Sequence, residues 1–325
     1  MKTQYQLLSA ILCFSQITGA AYVHAQTMNV KPELFAPGVI SGPVNDAAPV
    51  FTPDGKTVYF HRGGPALGLF ILVSHLKNGK WSMPEPASFS GQWQDLEPAM
   101  APDGSYMIFS SNRPATPGGQ AIDGDWGGAH YPQKGGNLWR VDRKGDGWSE
   151  PYRLPDIING TSATFSPAIT ADGSLYFMKP VATGKFHIYR SAFRNGQYEE
   201  PLPVPFSAAD SVGDVDPAVS ADDSFLVFSS GRSGLKRQEL FIVFRKNGQW
   251  GVPVSLGEEV NRGIGNVEAK LSPDNRRLYF ATSYGQTATY PTDPESVKRK
   301  LQETEWDTGG SNIWSVPLDR WLNNR

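Results

Sequence analysis

Short runs of apolar residues alternating with polar ones recur along the chain, each pair of runs joined by the same kind of turn. Pro49-Val-Phe-Thr-Pro-Asp54-Gly-Lys-Thr-Val-Tyr-Phe60 reads as strand, turn, strand, with β-branched and aromatic residues in the runs and Asp-Gly at the turn. The phrase returns as Pro98…Asp103…Phe109, Pro167…Asp172…Phe177, Pro217…Asp222…Phe228 and Ala269…Asp274…Phe280. Downstream of each pair the pattern predicts a second hairpin. Leu69–Val73 precedes Asn78-Gly79 and Trp81, Ile188-Tyr189 precedes Asn195-Gly196 and Tyr198, and Leu240–Val243 precedes Asn247-Gly248 and Trp250. Asn-Gly favours the two-residue hairpin because both central residues need positive φ. The second unit carries Leu138-Trp139, then Asp146-Gly147 as the expected turn, then Trp148. A proline follows each of these aromatics three residues later, at Pro84, Pro151, Pro201 and Pro253, as suits an outer edge strand.

The repeated aspartates stand about fifty residues apart, with one longer step between Asp103 and Asp172, and that period belongs to propeller blades. The reading is an all-β, five-bladed β-propeller of four-stranded antiparallel blades. The fifth unit ends after its third strand, Asn312–Val316, and Pro32-Glu-Leu-Phe35 supplies the missing fourth, so the N-terminal strand closes the last blade. Residues 26–325 are read as one domain.

Several further motifs carry a resemblance. Ser272-Pro-Asp-Asn275 before Leu278-Tyr-Phe280, Phe109-Ser-Ser-Asn-Arg113, Phe228-Ser-Ser-Gly-Arg232, Asn247-Gly-Gln-Trp250 and Pro253-Val-Ser-Leu-Gly-Glu-Glu-Val-Asn261 resemble the TolB-like (WD40-like) β-propeller repeat family of bacterial envelope proteins. The resemblance covers nearly the whole chain after residue 25. It implies the propeller and an envelope setting, but the family includes assembly factors, domains attached to peptidoglycan-binding modules and non-catalytic propellers attached to peptidases. TolB itself is six-bladed with an extra domain, so a role in the Tol system is not carried over.

Of the 325 residues, 39% are apolar and 12% aromatic, enough for a large core. The 30 Lys and Arg against 32 Asp and Glu, a net charge of −2, provide no basic field for nucleic acid. Residues 1–25 read as a signal peptide, with Lys2, an apolar run from Leu7 to Phe14 that is too short to span a bilayer, and cleavage after Ala25. A periplasmic or secreted monomer without a transmembrane segment in its mature form is expected. The single cysteine, Cys13, lies inside that segment, so the mature chain has no disulfide and no thiolate ligand.

Two long loops interrupt the repeat, at about 114–135 in blade two and 284–310 in blade five. Both fall between the second and third strands of their blades and are expected on one face. The first contains Asp123, Asp125, Trp126, His130 and Tyr131, which could hold a sugar by stacking or a hard cation through oxygens, or form a plain ordered Ω-loop. Asp-x-Asp opens a calcium loop, but the later glutamate that such a loop needs is missing. The second places Asp293-Pro294 before an expected helix from Glu295 to Glu305, with Tyr290 and Trp306 at its ends.

Aligned positions in the first strands hold Ala48, Glu97, Ser166, Asp216 and Glu268, and two residues earlier Asp46, Asp95, Thr164, Asp214 and Asn266. Four blades place a base after the second strand, at Arg62, Arg113, Lys179 and Arg232. These charges either lock blades together or form an acidic, aromatic-framed mouth. Lys270, two residues beyond Glu268, is expected to share its strand face, where the two could pair.

The preferred reading is a binding module for a peptide, a glycan or an envelope protein, using Asp95, Glu97, Arg113, Asp125, Trp126, His130, Tyr131, Asp214, Asp216, Arg232, Glu268, Tyr290 and Trp306. The alternative is a glycan hydrolase or lyase, with two of Glu97, Asp216 and Glu268 as acid and base or nucleophile. A metal-dependent hydrolase with an axial cation on Glu97, Asn266 and Glu268 ranks lower, beside a purely structural role. No cofactor is expected beyond a possible structural cation. No Ser-His-Asp order, HExxH motif or phosphate loop occurs, and His61, His75, His130 and His187 lack metal-ligand spacing.

Overall fold

A computed structural model describes residues 30–64, 66–207, 209, 212–284, 291–303 and 309–323. They form five antiparallel blades whose first strands, here called A, touch one another in a closed ring. From A outward, the strands are Asn45–Phe51, Thr57–Gly64, Gly68–Lys77 and Glu85–Pro86 in blade one, and Asp95–Met100, Tyr106–Ser111, Asn137–Lys144 and Tyr152–Arg153 in blade two. Blade three has Phe165–Ile169, Leu175–Pro180, Phe186–Ser191 and Leu202–Pro203, and blade four has Asp214–Val219, Phe225–Ser230, Glu239–Lys246 and Val254–Ser255. Blade five has Ile264–Leu271, Arg277–Ser283 and Asn312–Pro317, completed by Glu33–Leu34, which pairs with Ser315 and Trp314. The backbone N–H of Phe35 donates to Ile313 O, and Ser41 Oγ is shared between Phe35 O and Ile313 O.

The repeated aspartate is explained by its hydrogen bonds. In each blade its Oδ1 accepts the backbone N–H two residues on, from Lys56, Ser105, Ser174, Ser224 and Arg276. The residue after it takes positive φ in every blade: Gly55, Gly104, Gly173, Asp223 and Asn275. Glycine adopts this conformation freely, and Asp and Asn are the side chains that tolerate it best. The Asn-Gly hairpins also have positive φ at both residues. In blade two the turn lies one residue earlier than expected: Lys144 pairs with Gly147, so Gly145-Asp146 forms the loop and positive φ falls on Gly145.

An apolar cluster fills each junction between neighbouring blades. At the closure, Ile40, Phe51, Val58, Phe60, Tyr279 and Ile313 form it, with Phe35 packed against them. Its ring lies 5.1 Å from Tyr279, 5.7 Å from Phe51 and 5.8 Å from Trp81.

Both long loops leave strand B and return to strand C, which puts them on the B–C side of the disc. The first contains a hairpin, Gly124–Trp126 with Ala129–Tyr131, turned at Gly127-Gly128. The second contains a helix, Pro294–Glu303, capped by Asp293, whose Oδ1 accepts the Ser296 N–H at 2.9 Å. The proposed signal segment, Tyr290 and Trp306 lie outside the described residues. No helix among the described residues is long and apolar enough to cross a membrane.

Candidate functional site

All five A strands carry a register shift at the same place, between Ala47 and Val50, Leu96 and Ala99, Phe165 and Ala168, Val215 and Ala218, and Val267 and Lys270. Inside each shift sits a non-glycine residue with positive φ: Ala48 (50°), Glu97 (53°), Ser166 (52°), Asp216 (55°) and Glu268 (58°). Each such residue costs about 1–3 kcal/mol, so the surroundings must hold it. The bulges bring Glu97, Asp216 and Glu268, from blades two, four and five, together: one oxygen of each lies within 4.8 Å of the others.

The same bulges are tied between blades. His61 Nδ1 in blade one accepts the Glu97 N–H at 3.1 Å. Glu97 Oε2 accepts the Ser166 N–H at 2.7 Å and the hydroxyl of Ser110 at 2.7 Å. Asp216 Oδ2 accepts the Glu268 N–H at 2.9 Å, and Oδ1 accepts the Ser166 hydroxyl at 3.2 Å. Thus three of the five strained amides are capped by a side chain from the preceding blade. Glu268 departs from this pattern: part of the residue reaches solvent, but its Oε2 is enclosed and accepts no hydrogen bond among the described residues.

Lys270 does not pair with Glu268. The bulge breaks the two-residue alternation, and Lys270 Nζ donates to Pro167 O at 3.1 Å, with no carboxylate in ion-pair range among the described residues. Beside it, on the A–B side, lies an axial cavity of about 90 Å³ lined also by Val50, Ala99, Ala168 and Ala218. Burial dominates the electrostatics. It raises Glu97 to about 7, with the charge of Asp216 adding to it, raises Asp216, and lifts Glu268 well above the usual carboxylate range, helped by both other acids. Burial lowers Lys270 and takes the His61 imidazole down to about 3, so His61 is neutral.

The outer acids are also enclosed. Asp46, Asp95 and Asp214 pair with Arg62, Arg113 and Arg232 of their own blades. Each arginine also donates to a carbonyl in the segment leading into strand A, at Ile40, Phe89 and Phe206. Thr164 and Asn266 occupy the equivalent positions in blades three and five, Asn266 donating to Gln238 O at 3.0 Å, while Lys179 lies over the Tyr189 ring. The expectation of an acidic mouth is therefore corrected: Asp95, Glu97, Asp214 and Asp216 are at most 4% exposed, because carboxylates so close to the axis are held by arginines and amides.

The hairpin of the first loop leans on blade three. Trp126 stacks on Tyr131 at 4.1 Å and meets Phe186 edge-on at 5.7 Å. These two rings face each other. His130 lies between Asp125, at 2.9 Å, and Asp123, at 3.5 Å, and its hydrogen bond to Asp125 raises its pKa. Beyond Phe186, a groove of about 520 Å³ opens between the B–C loops of blades three and four. Lys185, Phe186, Leu235, Lys236, Arg237 and Gln238 line it; Lys185 and Lys236 are exposed, Arg237 pairs with Glu239, and the enclosed Gln238 Oε1 has no partner among the described residues. None of the groove's cations was singled out from the sequence, because they belong to no repeated position.

The fold and its repeats define a five-bladed β-propeller. No protein-family model matches the chain, and no curated protein does. Among solved structures it is similar to a putative TolB from Agrobacterium tumefaciens, with 17% identity over 76% of this chain and 73% of that one and a TM-score of 0.46. TolB from Acinetobacter baumannii is 16% identical over 89% of this chain and 63% of its own, with a TM-score of 0.49. The catalytic domain of a Coprinopsis cinerea GH62 alpha-L-arabinofuranosidase is 11% identical over 89% and 96%, with a TM-score of 0.52. At such identities the likeness concerns the fold alone.

Proposed function

We propose that this protein is an exported propeller that binds an acidic peptide or glycan segment on its B–C face. The observation that carries the reading is the groove between blades three and four, where two exposed lysines and Arg237 surround Phe186 and exposed Leu235. A rigid scaffold presenting a cationic groove with apolar contacts suits an anionic polymer. The first-loop hairpin buttresses one wall through Trp126 and Phe186. The signal-like segment at residues 1–25 supports export to the periplasm or beyond.

The hydrolase reading is less well supported. A sugar must reach both carboxylates, yet Glu97 and Asp216 are 4% exposed and bonded to backbone amides of the next blades. The test is fluorescence anisotropy with labelled poly-glutamate and oligogalacturonate, against neutral dextran, at rising salt. Salt-sensitive binding of an acidic probe, weakened at least tenfold in Lys185→Glu/Lys236→Glu, supports the proposal. Binding that this double variant leaves unchanged, or release of shortened glycan products, overturns it.

A further inference from the structure

We propose that Glu97, Asp216 and Glu268 form a divalent-cation site on the propeller axis, with Ca²⁺ as the ion their chemistry favours. Three carboxylates from three blades each place an oxygen within 4.8 Å of the others. An ion centred among them would lie no more than about 2.8 Å from each oxygen, so a shift of a few tenths of an ångström in the side chains brings all three to Ca–O distances of about 2.3–2.6 Å. All-oxygen donors select a hard cation, and Ca²⁺ tolerates the irregular geometry of side chains from separate blades better than Mg²⁺ does.

Charge balance points the same way. Three carboxylates share the axis with a single lysine, Lys270, an excess of two negative charges once all three are ionised, and none of the three makes an ion pair among the described residues. Buried charge of this size must be neutralised, by protons or by a cation, and one divalent ion matches it.

The second, independent observation is the Glu268 carboxylate. Glu97 Oε2 and both oxygens of Asp216 accept hydrogen bonds that hold the bulges, whereas Glu268 Oε2, enclosed although its residue is part-exposed, accepts none among the described residues. An enclosed acceptor without a donor among the described residues, beside two anchored carboxylates, suits a cation ligand. Bound there, the cation joins blades two, four and five across the axis, at the level of the strained bulges.

The experiment uses the full mature chain, treated with chelator and exchanged into chelator-free buffer at pH 7.5. CaCl₂, MgCl₂ and KCl are titrated in turn, with calorimetry and thermal unfolding as readouts. One Ca²⁺ per chain, with a melting temperature rising by several degrees at 1 mM Ca²⁺ and not with equal ionic strength of KCl, is the result expected. Glu268→Gln, which removes no hydrogen bond to the bulges, should weaken Ca²⁺ binding at least tenfold while far-UV circular dichroism stays unchanged. Absence of heat and of a melting shift in the folded wild type up to 5 mM Ca²⁺ overturns the site, as does undiminished binding by folded Glu268→Gln. Should that variant not fold, the same titration of Glu97→Gln decides between the same two outcomes.

Discussion

Arg232 Nη2 lies 2.8 Å from each carboxylate oxygen of Asp214 and 3.1 Å from the carbonyl of Phe206. One guanidinium thus holds the start of strand A and the segment that enters it. Arg62 and Arg113 make the same clamp in blades one and two.

Breaking a clamp leaves a buried charge behind. Arg113→Ala strands Asp95, whose side chain is fully buried, and should lower unfolding free energy by about 3 kcal/mol in urea titrations. The double variant Arg113→Met/Asp95→Leu should recover much of that loss. Equal destabilisation in both would mean that packing, not the stranded charge, is responsible.

The turn aspartates set an acid limit. Asp54, Asp103 and Asp274 are held below the usual carboxylate range chiefly by side-chain hydrogen bonds from Thr52, Ser105 and Ser272. At Asp172 and Asp222 partial burial pushes upward, but the hydrogen bonds prevail and the net shift is also down. A depressed folded pKa gives stability that is full above the unfolded value, about 3.9, and fades as pH falls through the folded one. Melting temperature measured from pH 5 to 2.5 should drop with a component that Asp54→Asn and Asp103→Asn progressively flatten. An unaltered profile in the double variant would remove the turns as its source.

The closing strand depends on Phe35. Phe35→Ala removes a ring packed among Phe51, Trp81 and Tyr279 and should cost about 3 kcal/mol. Hydrogen exchange should then speed up first in Asn312–Pro317, the partner of Glu33–Leu34. Uniform acceleration across all blades would argue against a local seam.

Gly184 decides where the hairpin sits. A Cβ there would stand 2.5 Å from Gly127 Cα, at a φ of +80°. Gly184→Ala should push the hairpin off blade three, increasing exchange over Gly124–Tyr131 and changing Trp126 fluorescence while barely moving the melting temperature. A large fall in melting temperature would show instead that the hairpin belongs to the core.

Much of the fold was legible because each element repeats. Five Asp turns, the Asn-Gly hairpins and the prolines before the outer strands carry independent local chemistry, and their agreement marks both blade number and closure. The site was half legible. Aligning the repeats places Ala48, Glu97, Ser166, Asp216 and Glu268 at one level, but nothing in their side chains announces positive φ, since none is glycine. The bulge also defeats strand parity, which is why Lys270 turns to Pro167 and leaves Glu268. His61, whose ring caps the amide of Glu97, has no motif around it at all. In the first loop Trp126-Gly-Gly-Ala129 carries a two-residue hairpin signal, hidden by the glycines that surround it.

The seam between Glu33–Leu34 and Asn312–Pro317 also orders events in time. The Ser41 hydroxyl and the Ile313 carbonyl that meet there are 272 positions apart, so every other blade can be assembled before this contact exists. A chain that folds from its N-terminal end onward therefore remains an unclosed crescent until its last strand is available, with the flanks of blades one and five bare. Those flanks belong to a shape that the finished ring never shows.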